Sequence, residues 1–198
     1  RGAAPVQWAL INGEKISGIT VQMINKELDA GDIVLQESFP LGCDVTAGEL
    51  YEKILPIGAE LLIKAVELLA SGEAEKIKQN HSEATYCGKI DRVTAGINWG
   101  NDSWSIHNLV RGLNPKPAAW TTFRGKNIKI WKTALYNEDP GYSPGPGELF
   151  RFQKKRLLAG TGKGILEILE IQPENRKIMN GEAFINGYRI EKGDVFEW

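Results

Sequence analysis

AAWTTFRGKNIKIWKTALYNEDPGYSPGPGELFRFQKKRLLAGTGKGILEILEIQP, residues 118–173, is the stretch whose reading decides the fold. Short β-branched and aromatic runs recur at 118–123, 127–135, 147–152, 156–160 and 164–172, with turn chemistry between them at Arg124-Gly125 and at PGYSPGPG, residues 140–147. Five short strands in one compact stretch predict a small barrel, and an OB-like barrel is one architecture of that size. Met179 to Ile185 adds a short closing helix.

Charge marks the same stretch. The formal net charge of the 198 residues is −1, but the two parts of the chain differ. Residues 1–78 hold 7 Lys and Arg against 12 Asp and Glu, whereas residues 79–198 hold 17 against 13. Between Arg111 and Lys163 there are 11 basic residues and 3 acidic ones, with Trp120, Phe123, Trp131 and Phe152 interleaved. Such a patch is what a phosphate-backbone binder presents, and Arg111, Lys116, Arg124, Lys126, Lys129 and Lys132 are the candidate nucleic-acid contacts. The bland alternative is a solvated surface of snorkelling side chains.

Moving toward the N-terminus, GLNPKP (112–117) breaks a helix that Asp102 caps and that carries Trp104, Ile106, Leu109 and Val110. His107 on that helix reads as a packing or surface residue rather than a ligand. Residues 78–88, KQNHSEATYCG, lack periodicity and read as a linker, with His81 in solvent. Leu50, Ile54, Ile57, Leu61, Ala65 and Leu68 recur at helical spacing behind the capping box Thr46-Ala47-Gly48-Glu49, with Pro56 bending or splitting the helix and Ser71-Gly72 ending it. That helix faces a core. A short helix over 6–12 and strands over 17–24 and 33–39 precede it. The domain reading is therefore an α/β part over 1–78, a linker over 79–90 and a barrel with flanking helices over 91–198.

Several chemistries are excluded. The longest stretch free of Asp, Glu, Lys and Arg is Gly2–Gly13, 12 residues, against the roughly 20 that a membrane helix needs. Two cysteines 44 positions apart, Cys43 and Cys87, form neither a disulfide framework nor a CxxC site; both read as small buried hydrophobes in a reducing cytoplasm. With only His81 and His107, no His-rich metal centre is expected, and no P-loop, dinucleotide fingerprint or nucleophile spacing occurs. What remains is LDAGD, residues 28–32, between two strands. Asp29 and Asp32 suit acid/base or orienting work, though Asp beside Gly is also ordinary turn chemistry.

Those residues carry a resemblance. RGAAP (1–5), NGEKISGIT (12–20) and LDAGDI (28–33) are similar to the folate-dependent formyltransferases. ATY (84–86), INW (97–99), LVRGLNPKPAAWT (109–121), IKIWK (128–132), LEILEIQP (166–173) and FINGYRIEKGDVF (184–196) resemble, within them, the branch that formylates methionyl-tRNA. The resemblance implies the trailing part of a Rossmann-like catalytic domain followed by an OB-like tRNA-binding domain. It implies 10-formyltetrahydrofolate as donor, initiator Met-tRNA as acceptor, no metal, and a monomer in the cytoplasm. Of the family's catalytic Asn, His and Asp only the Asp has a counterpart here, Asp29, with Leu28 and Gly31 beside it as folate contacts. The Asn and His are expected on a segment preceding Arg1. The family has an acidic residue and Gly before an LDTGD loop; this chain has Asn25-Lys26-Glu27 and Ala30. The alternatives are a 10-formyltetrahydrofolate hydrolase, a sugar N-formyltransferase and a non-catalytic RNA-binding module.

Overall fold

The structure is a computed structural model that describes residues 1–197. It begins with α1 (Pro5–Ile11), whose first residue is a proline already held at a helical φ, and which closes at Asn12 before Gly13 turns the chain at φ +70°. β1 (Ile16–Gln22) and β2 (Ile33–Pro40) pair antiparallel from Ile16 opposite Pro40 to Val21 opposite Leu35, and the register slips at Val21/Gln22, where the loop between them starts. α2 (Ala47–Ser71) lies against this pair. Its N-terminus is the expected capping box: Thr46 Oγ1 accepts the Glu49 amide at 3.2 Å and the Glu49 carboxylate accepts the Thr46 amide at 2.8 Å.

One expectation for α2 changes. Pro56 neither splits nor ends the helix, which runs unbroken for 25 residues. Pro56 is on the exposed side, where a carbonyl deprived of its amide partner is open to water. The helix faces the core with one narrow stripe: Leu50 and Ala65 are buried, while Leu55, Leu62, Ile63 and Val66 are 53–68% exposed. β1 and β2 are also an antiparallel pair, so the α/β layer of residues 1–71 contains no parallel Rossmann-type ladder among the described residues.

The second part begins at α3 (Ser103–Leu113), capped by Asp102, whose carboxylate accepts the Ser105 amide at 3.0 Å. The five expected strands all form: β3 (Ala119–Phe123), β4 (Lys126–Tyr136), β5 (Leu149–Phe152), β6 (Arg156–Gly160) and β7 (Ile165–Pro173). Two short ones join them, β8 (Met179–Asn180) beside β7 and β9 (Phe196–Glu197) beside β3, with α4 (Gly181–Tyr188) between. All pairings are antiparallel. The order β5-β6-β7-β4-β3-β9 has two ends, so the expected closed five-strand barrel is instead a seven-stranded sheet, with only an isolated bridge, Glu148 to Val195, between its ends. Two main-chain hydrogen bonds flank that bridge, from the Leu149 amide to the Asp194 carbonyl and from the Phe196 amide to the Gly147 carbonyl, each at 2.8 Å. α3, α4 and the inner faces of the strands enclose one core that includes Ile97, Ile106, Ile130, Leu157 and Phe184.

The two parts meet at α1 and α3. A Cβ at Gly112 would lie 2.8 Å from the Ile11 side chain and 3.1 Å from the Gln7 carbonyl, so glycine sets how near the helices approach. Residues 78–88, expected as a linker, run along the first part: just before them Ile77 exchanges backbone hydrogen bonds with Ile33, and near their end Cys87 pairs with Arg1 and Ala3. Among the described residues no helix is long and apolar enough to cross a membrane.

Candidate active-site loop and basic surface

The loop between β1 and β2 is shaped by two special backbones. Asp29 sits in the left-handed region at φ +52°, which short polar side chains tolerate better than others. Gly31 is buried under the chain, where a Cβ would overlap the Met23 carbonyl. Met23 in turn donates its amide to the Asp32 carbonyl at 2.9 Å. Asp32 is thus held by main chain at the base of β2, and the half-buried Asp29 lines the recess at the bend. Asp29 Oδ2 accepts the Gly2 amide at a long 3.4 Å, and no described residue hydrogen-bonds its Oδ1.

Around the bend is a recess of about 350 Å³ formed by residues 22–31. Its apolar wall is Met23, Ile24 and Leu28, exposed by 36%, 98% and 76%. Leu28 is therefore free to meet a ligand. Gly31 lines the same recess through its backbone, and the absence of a Cβ is what lets the chain pass so close to Met23. Apolar side chains beside a carboxylate make a recess of the kind that receives a small ligand.

One residue that sequence reasoning missed dominates the loop's hydrogen bonding. Gln79 Nε2 lies 3.0 Å from the Asp29 carbonyl, 2.7 Å from the Gly31 carbonyl and 2.7 Å from Gln22 Oε1, and Gln79 Oε1 accepts Arg1 Nη2 at 3.0 Å. No periodicity or motif distinguishes a glutamine in a polar connecting segment. His81 is exposed, with Nδ1 3.9 Å from Glu27. Cys87 is half-buried but Cys43 is exposed, so the buried reading fails for Cys43. In its turn, residues 41–45, Leu41 and Val45 pack inward while the carbonyls of Gly42, Cys43 and Val45 serve as main-chain acceptors.

Those acceptors explain a second correction. Arg111, expected on phosphates, is only 4% exposed. Its Nε donates to Asn108 Oδ1 at 2.7 Å, Nη1 to the Gly42 and Val45 carbonyls at 3.3 and 3.2 Å, and Nη2 to the Leu10 carbonyl at 3.4 Å. It clamps the second part of the molecule onto the first. His107 works beside it: Nε2 donates to the Cys43 carbonyl at 3.1 Å, which leaves Nδ1 to accept from the Thr133 hydroxyl at 2.9 Å. Burial lowers the His107 pKa below 6.5; the Cys43 carbonyl and Asp44 oppose the shift and Arg111 reinforces it.

The remaining cations are accessible but dispersed. Lys116, Lys126, Lys129 and Lys132 are exposed. Arg124 is committed though exposed, its Nε and Nη2 paired with Asp194 at 2.8–3.1 Å and its Nη1 donating to the Tyr188 carbonyl at 3.0 Å. Bulges in β4 between Ile130 and Thr133 shift the alternation, so Lys129 and Lys132 both point outward although three positions apart. Lys129 borders a groove of about 510 Å³ with Arg92 and Trp120, Lys126 borders a recess with Arg124 and Arg176 that shares the wall Pro173–Asn175, and Lys132 lies at the junction beside His107.

Comparison with known proteins adds the family. Residues 1–66 match the formyl transferase family and residues 89–189 the formyl transferase C-terminal domain. Over 197 residues, all of this chain, the sequence is 43% identical to the methionyl-tRNA formyltransferase of Carboxydothermus hydrogenoformans; the chain spans 63% of that relative's length. HypX from Aquifex aeolicus, solved in complex with tetrahydrofolic acid, has the same fold over 100% of this chain and 36% of its own, with a TM-score of 0.70 at 21% identity. An N-formyltransferase from Helicobacter canadensis, solved with folinic acid and dTDP-3-aminofucose, gives a TM-score of 0.68 at 25% identity over 87% of this chain and 61% of its own.

Proposed function

The chain belongs to the formyl transferase family, and from that premise we propose that it serves formyl transfer from 10-formyltetrahydrofolate to the α-amino group of methionine on initiator tRNA, in the cytoplasm. The observation that carries this reading is the 43% identity to a methionyl-tRNA formyltransferase across both parts of the chain, against 25% to the enzyme solved with an amino-sugar nucleotide. The uneven charge agrees, because an RNA acceptor needs exposed cations and Lys116, Lys126, Lys129 and Lys132 supply them.

In this reading Leu28 and the recess of residues 22–31 receive the folate. When bound, the folate supplies the formyl carbon. Asp29 is the catalytic carboxylate: it orients the imidazole of the family's histidine in one tautomer and stabilises its protonated form while the attacking amine gives up a proton. Support for that role is the place of Asp29 on the recess, with Oδ1 free among the described residues. The boundaries at residues 78 and 91 and the OB-like reading of the sheet belong to the same proposal, supported by the near approach of its ends at Glu148 and Val195. The protein acts as a monomer.

The test is formylation by the full-length protein with 10-formyltetrahydrofolate and either Met-tRNA or a dTDP-amino sugar. Formyl-methionine on tRNA is expected; sugar formylation with inert Met-tRNA overturns the reading.

A further inference from the structure

We propose that Gln79 is the positioning residue of the active-site loop: from the segment that joins the two parts of the molecule, its side-chain amide holds the backbone on both sides of Asp29 and thereby sets the direction of that carboxylate. The inference rests on the assignment of Asp29 to formyl transfer.

The loop has a conformational problem that its own residues do not solve. Asp29 at φ +52° is in a sparsely populated region, and relaxing to right-handed backbone would swing its side chain away from the recess. The carbonyls of Asp29 and Gly31, one residue apart from each other across the buried Ala30, turn to the same side of the chain and meet one nitrogen, Gln79 Nε2, at 3.0 and 2.7 Å. Main-chain acceptors in a part-buried setting need a donor, and here both share the one NH2 group that reaches them. A primary amide is suited to this place because it has two hydrogens on one planar nitrogen, enough to serve the bend and Gln22 Oε1 on β1 together.

The clamp is anchored from behind. Gln79 Oε1 accepts Arg1 Nη2, and Gly2, which gives its amide to the Asp29 carboxylate, is paired through its neighbours Arg1 and Ala3 with Cys87. Residues 79–87 therefore reach the loop twice, through Gln79 to the Asp29 backbone and through Gly2 to its carboxylate. A reacting group misplaced by about 1 Å loses on the order of 10²-fold in rate, so a residue that touches no substrate still controls turnover.

The experiment uses the full-length protein and four variants: Gln79→Leu, Gln79→Glu, Asp29→Asn and Asp29→Asn combined with Gln79→Leu. Gln79→Glu keeps the length and shape but replaces the donor by an acceptor, and it decides the matter if the Leu variant fails to fold. Both Gln79 variants are expected to lower kcat by about 10- to 100-fold with KM for Met-tRNA and for the folate changed by less than about 3-fold. The double variant is expected to be no more than about twofold slower than Asp29→Asn, because a residue that acts only through Asp29 has nothing left to position. A slow Asp29→Asn with either folded Gln79 variant at the wild-type rate overturns the inference alone, as do losses that multiply in the double variant. Asp29→Asn at the wild-type rate overturns the assignment of Asp29, and the inference with it.

Discussion

Asp29 and Asp32 stand three positions apart in one loop, yet their surroundings assign them different work. Asp29→Asn keeps the shape and removes the charge, so in the full-length protein turnover should fall on the order of 10²- to 10⁴-fold with substrate binding little changed. Asp32→Asn should leave turnover nearly unchanged, since Asp32 holds the Met23 amide through its main-chain carbonyl, which the substitution keeps. Single-turnover formylation of Met-tRNA by both variants decides it, and the reverse pattern would exchange the two roles. His107 gives a prediction about pH. Its pKa is lowered in the folded protein, so below the ordinary value of 6.5 the unfolded chain binds more protons than the folded one. The stability from its neutral form is therefore present above that value and lost as pH falls through the lowered pKa. Thermal unfolding followed from pH 7 to 5 should show a falling midpoint, and His107→Gln should flatten the fall; identical profiles would place the titrating group elsewhere.

At the level of elements, α2 depends on its first turn. The Thr46 and Glu49 side chains satisfy each other's amides, and the hydrogen bonds from Thr46 lower the Glu49 pKa from its ordinary 4.5. Thr46→Ala should cost about 1 kcal/mol in denaturant unfolding without affecting formyl transfer to the same degree. A neutral result would mean that packing against β1 and β2 alone holds the helix start. β4 shows how one irregularity distributes function: its bulges turn both Lys129 and Lys132 to solvent while keeping Ile128, Ile130 and Thr133 inside. An unbroken alternation would have buried one of the two.

The molecule as a whole binds nucleic acid, if the proposal holds, through cations dispersed over neighbouring recesses instead of one stripe. Replacing Lys126, Lys129 and Lys132 together by Gln should weaken tRNA binding and flatten its salt dependence by up to about three phosphate contacts, leaving folate binding alone. Arg111→Gln should do the opposite, lowering thermal stability with the salt slope intact, because its guanidinium is spent on carbonyls from both parts of the chain. An unchanged slope in the triple variant would move the contact surface to other cations. Local patterning was enough for the strands of residues 118–173, the caps at Thr46 and Asp102, the strand-loop-strand around Asp29 and the surplus of positive charge, since each depends on neighbours a few residues away. The resemblance of motifs supplied the family. Sequence could not separate an exposed lysine from the buried Arg111, distinguish the exposed side chain of Leu28 from the buried backbone of Gly31, or single out Gln79 in a polar connecting segment. Nor could it tell a closed barrel from a sheet with two ends. Those outcomes depend on which distant carbonyls, strands and helices arrive at the same place, and only the tertiary structure brings residue 79 to residue 29, and residue 111 to residues 10, 42 and 45, within hydrogen-bonding distance.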